Sequence, residues 1–93
     1  MTDNEERPVT VIVGRVWRRK GGDSEGVHIM LVAPDDDSAV RRALEALAKE
    51  GYAEAELDQI GEMEGAPDEE PHLSAYQGAT EGEVSIVTFD EPI

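Results

Sequence analysis

The chain predicts an α+β domain, a two-layer sandwich in which a four-stranded mixed sheet carries two helices on one face. Two kinds of periodicity lead there: one stretch has the apolar period of a helix, and the stretches around it alternate with a period of two. Glycine- and proline-rich turns separate them. Residues 34–52, PDDDSAVRRALEALAKEGY, set Ala39, Val40, Ala43, Leu44, Leu47 and Ala48 at the i, i+3, i+4, i+7 spacing of a helix with one buried face. Asp35 is the expected N-cap, because its carboxylate can accept from amides that the first turn leaves unpaired. Asp36 and Asp37 follow where the helix dipole favours negative charge. Gly51 ends the helix, since glycine takes the left-handed C′ conformation without a Cβ clash.

Residues 1–8 read as a flexible acidic leader, 9–90 as a single domain and 91–93 as a tail. From Val9 the segment VTVIVGRVW alternates as a strand, with Val9, Val11 and Val13 on one face and Ile12 and Val16 on the other. Gly14 inside it marks a bulge or a close backbone approach. RRKGGDSEG forms a loop of about nine residues. VHIMLVA is the second strand, with Val27, Ile29, Leu31 and Ala33 on one face and His28, Met30 and Val32 on the other. Pro34 stops it. The third strand is AEAELDQIGEME. Its apolar phase moves from Ala53, Ala55 and Leu57 to Ile60 and Met63, which requires a bulge near Asp58–Gln59 or an early end.

Pro71 opens a short second helix, PHLSAYQGATEG, with Leu73, Tyr76 and Ala79 or Thr80 inward. Gly78 weakens that helix by about 1 kcal/mol relative to alanine, and Gly82 can cap it. EVSIVTF supplies the last strand. The order is β-β-α-β-α-β, and a right-handed crossover between strands two and three would make that pair parallel. With Val11, Val13, Ile29 and Leu31 facing the helices, Ile12, Val16, Met30 and Val32 form a second apolar face, joined by Val87 and Phe89. A sheet open to water is normally polar on its outer side, so something must cover this one. A second copy of the chain is the simplest cover, which makes these four residues the expected homodimer interface.

Charge is distributed unevenly. Residues 1–49 hold nine acids and all eight Lys and Arg, whereas residues 50–93 hold thirteen acids and no Lys or Arg. A field of that sign repels phosphate backbones, so free nucleic acid is not an expected ligand; a solvated acidic surface kept for solubility is the simpler reading, and a basic protein is the alternative partner. The chain has no cysteine, which removes disulfides, thiolate metal sites and cysteine nucleophiles together. The polar, acidic N-terminus is the reverse of a signal peptide, and no apolar run reaches spanning length. A cytoplasmic location without a membrane partner is the expectation.

Catalytic chemistry finds little support. The run Asp35, Asp36, Asp37 lacks the alternation and central glycine of a calcium loop, and capping accounts for it. Glu69-Glu70-Pro71-His72 holds one Glu-x-x-His spacing, where carboxylate-bridged metal pairs need two copies in long helices. His28 has no partner visible in the sequence, and phosphate-binding and nucleophile-elbow motifs are missing. No catalytic residue, metal or cofactor is assigned. Trp17, Arg18, Arg19 and Lys20 gather cations beside the only tryptophan, a candidate contact for an anion or a partner. Pairing with acids of the same chain, or of a neighbouring subunit, is the simpler role.

The expected function is a non-catalytic interaction or regulatory module. One alternative is a small dimeric enzyme or ligand-binding domain with a pocket near His28. Another is a mimic of nucleic-acid charge that occupies a basic protein.

Overall fold

The computed structural model describes residues 8–63 and 65–90. Residues 1–7 of the leader expected over 1–8, and the tail at 91–93, lie outside the described residues. Six elements follow in the expected order: β1 (Thr10–Trp17), β2 (Ser24–Leu31), α1 (Asp36–Lys49), β3 (Glu54–Glu62), α2 (His72–Thr80) and β4 (Ser85–Asp90). The strands form one sheet in the order β3-β1-β2-β4. The α+β class is therefore as the sequence predicts, but two details differ.

First, the sheet is antiparallel throughout rather than mixed. The chain leaves β2, runs through α1 and returns as β3 on the far side of β1. Strands β2 and β3 run in the same direction, but β1 lies between them.

Second, the helices lie on opposite faces rather than on one. The hairpin register decides which residues each helix covers. A nine-residue loop would pair odd residues of β1 with odd residues of β2. The loop is six residues long, pairing Trp17 with Ser24 and Ile12 with Ile29, so odd residues meet even ones. One face then carries Ile12, Val16, Val27, Ile29 and Leu31, and α1 covers it with Ala39, Ala43 and Leu47. The other face carries Val9 and Met30, with Val87 of β4, and α2 covers it with Ala75 and Ala79. Each apolar face thus has its own helix.

The helix ends obey the expected chemistry. Ser38 donates its backbone N–H to the Asp35 carboxylate at 2.8 Å, closing the first turn of α1. Gly51 and Gly82 follow α1 and α2 with φ of 96° and 101°, the left-handed geometry that ends a helix. Inside α2, Gly78 has a reason that the sequence conceals. A Cβ there would sit 2.8 Å from the Ser85 hydroxyl, so the missing side chain lets the helix approach β4.

A bulge joins β3 to the sheet. Val13 pairs with Gln59 and Gly14 with Leu57, leaving Asp58 as the extra residue. Without it, Leu57 and Ile60 would point to opposite faces; with it both point to the α1 side. Gly14 is required at the same place, because a Cβ would lie 2.1 Å from the Glu56 carbonyl oxygen. Gly26 is tight for a different reason: its Cβ would meet the Phe89 ring at 2.4 Å. Backbone cannot swing aside, whereas an aromatic ring can. Gly14→Ala should therefore cost about 3 kcal/mol, and Gly26→Ala about 1 kcal/mol, in urea unfolding. Equal losses would contradict this placement of the bulge.

Candidate functional site

The residues singled out in the sequence do not assemble into one site. Ile12 and Val16 are buried beneath α1, while Met30 is buried beneath α2 with Val32 partly buried beside it. These four do not share an open face, so the interface expected from them is corrected. Both apolar faces are covered by helices of the same chain, where a second copy was expected on one of them.

The basic tip is partly occupied. Arg15 meets Glu56, its cross-strand neighbour, at 2.6 Å. Trp17 is half-buried at the end of β1. Arg18 lies 4.6 Å over the Tyr52 ring and donates to its hydroxyl at 3.2 Å. Arg19 and Lys20 are exposed. The Arg19 carbonyl accepts from Gly22 at 3.0 Å, closing the turn that sets the hairpin register.

An arrangement that sequence reasoning missed lies under the start of α2. His28 of β2 points to the α2 face, and its Nδ1 is 2.8 Å from Nε2 of His72, the first residue of the helix. Phe89 sets its ring edge-on to His28 at 4.9 Å, in the space that Gly26 leaves. Glu70 accepts from the Ser74 amide at 3.1 Å, so it serves the helix end. Among the described residues, no group of three or more His, Cys, Asp or Glu is placed to hold a metal ion. In the histidine pair one nitrogen must donate and the other accept, so two imidazolium rings cannot keep this contact. The pair latches the first turn of α2 to the sheet.

The two edges of the sheet differ sharply. At β3, Glu54, Glu56, Asp58 and Glu62 are all exposed, and the bulge interrupts the strand. At β4, Val84 to Phe89 contains no charged residue, no proline and no glycine. A recess of about 220 Å³, lined by Glu50, Tyr52, Val84, Ile86 and Thr88, opens beside β4. A second, of about 500 Å³, runs along β4 from Glu83 to Thr88 against Pro71, Ser74 and Ala75 of the α2 end. Neither of these recesses is lined by His28 or His72.

No family model, curated protein or solved structure matches this chain. Among the described residues, no helix is long and apolar enough to cross a membrane.

Burial, and secondarily the charge of His72, holds the His28 pKa below its ordinary value near 6.5. The unfolded chain therefore takes up this proton more readily than the folded one. The stability that depends on neutral His28 is present above about pH 6.5 and is lost as pH falls through the folded-state pKa. Melting temperature should drop further between about pH 7.5 and about pH 5.5 in the wild type than in His28→Gln. Parallel pH profiles would show that the latch contributes nothing.

Proposed function

We propose that this domain is a non-catalytic association module whose acidic C-terminal half binds a basic protein surface. One observation carries the reading. Every described acid from Glu50 to Glu83 is exposed. Among the described residues, Glu56 is the one acid of this set in an ion pair. An unpaired acidic surface raises the local concentration of cationic partners and speeds encounter with them. Folding uses Glu56 in its ion pair and Glu70 at the start of α2, and the rest of this set stands exposed.

The placement of the acids favours a protein partner over mimicry of a nucleic-acid backbone. Glu54 and Glu56 lie opposite Trp17 and Arg15, Glu62 lies opposite Thr10, and Asp58 is the bulged residue. They are divided between the two faces of the sheet and do not form a single phosphate-like row. The histidine pair does not favour an enzyme, because each ring is engaged with the other and neither lines a recess beside β4.

Affinity capture from native lysate tests the reading, using wild type and the triple variant Glu54→Lys/Glu62→Lys/Glu83→Lys. Basic proteins should be retained at about 50 mM salt, lost near 500 mM, and retained at least about tenfold less by the variant. Capture that is indifferent to both salt and charge reversal would overturn it.

A further inference from the structure

We propose that the outer edge of β4 accepts an extended basic peptide segment as a fifth strand. This rests on the association reading above and specifies where and how a partner binds.

Sheet edges present a row of unpaired backbone N–H and C=O groups, and proteins blunt them with charges, bulges or covering elements. The β3 edge is interrupted by the bulge at Asp58, and its exposed acids oppose pairing with a second acidic copy. The β4 ladder runs without a bulge, and its one charged residue is Asp90 at the C-terminal end. Among the described residues, β2 is the strand paired with β4, and nothing pairs with its other side. The run Val84-Ser85-Ile86-Val87-Thr88-Phe89 is rich in β-branched and aromatic residues and free of charge. Left uncovered, such an edge is a hazard; occupied, it is a recognition element.

The surroundings of β4 fit a strand with cationic side chains. Side chains of an added strand would alternate between the two faces of the sheet. On the α1 side they would meet the smaller recess, with apolar walls of Val84 and Ile86 and the carboxylate of Glu50 at its rim. On the α2 side they would meet the larger recess, with Ala75 and Val87 as walls and Glu83 as its acid. Each recess thus offers an apolar wall for an aliphatic stem and an exposed carboxylate for its charged end. Arginine and lysine side chains have that shape. A second copy of this chain is a poorer occupant, because pairing β4 with itself would bring two acidic halves together, each with thirteen acids and no Lys or Arg.

The test uses the full chain, labelled for NMR, and an acetylated, amidated peptide of alternating arginine and valine long enough to span β4. Its control is the same peptide N-methylated at the central residues, which keeps the charge but removes the backbone donors. The unmodified peptide should bind at least about tenfold tighter than the control, with the largest amide shifts between Val84 and Asp90. Thr88→Lys, a substitution at an exposed position, should keep the wild-type melting temperature and weaken binding about tenfold. Equal affinity for both peptides, with shifts centred on Glu54 to Glu62, would overturn strand addition and leave the association reading standing. Failure of both peptides to bind would also overturn it, and the salt-dependent capture then judges the association reading separately. A wild-type dimer by light scattering that Thr88→Lys converts to monomer would overturn it in favour of a second copy on the edge.

Discussion

Two central strands apolar on both faces are the constraint on which the rest of this structure depends. Along their eight-residue ladder, Ile12 and Ile29 face α1 while Met30 faces α2. Neither face can be left to water, since each buried aliphatic side chain is worth roughly 1.5–3 kcal/mol. One helix cannot reach both. The chain therefore spends α1 on one face and α2 on the other, and it can do so only with connections that leave β3 and β4 at opposite edges. The small residues of α2 follow from the same requirement. Ala75 and Ala79 are buried, and Gly78 leaves room for Ser85, so a short helix with little apolar bulk still seals Met30 and Val87 by lying close.

With the faces closed, what remains available for association is edge and charge. The acids collect where they cost the fold least, at exposed positions on β3 and around the turns that flank α2 and β4. On β3 they make pairing with a second acidic copy unfavourable, and the Arg15–Glu56 contact neutralises one of them across the ladder. Beside β4 they stand at the rims of two recesses, clear of the backbone edge. The bulge therefore interrupts one edge, while the acids at the recess rims leave the other accessible to a cation.

Local chemistry was legible in the sequence. Asp35, Gly51 and Gly82 cap helices through bonds and angles that involve only near neighbours. The bulge was legible too, because Leu57 and Ile60 cannot share a face without an extra residue, and Gly14 lies opposite that place. What escaped was set by one loop. Turn residues mark where a hairpin bends but not how many residues leave the ladder, and a change from nine to six exchanges the faces of one strand relative to the other. That exchange separated Ile12 and Val16 from Met30 and Val32. It also hid the histidine pair, since His28 meets His72 only when the even residues of β2 face α2. The two histidines are 44 residues apart, and no local pattern links them.

Amide hydrogen exchange on the free protein reads the inequality between these edges directly. Amides of β1, and of β2 from Glu25 to Met30, should be protected throughout, because there each strand is paired on both sides. Along β4, from Ser85 to Asp90, protection should alternate, with every second amide exchanging as fast as those of the loop between β1 and β2. Uniform protection along β4 in the free protein would contradict the account, because its outer edge would then already be covered.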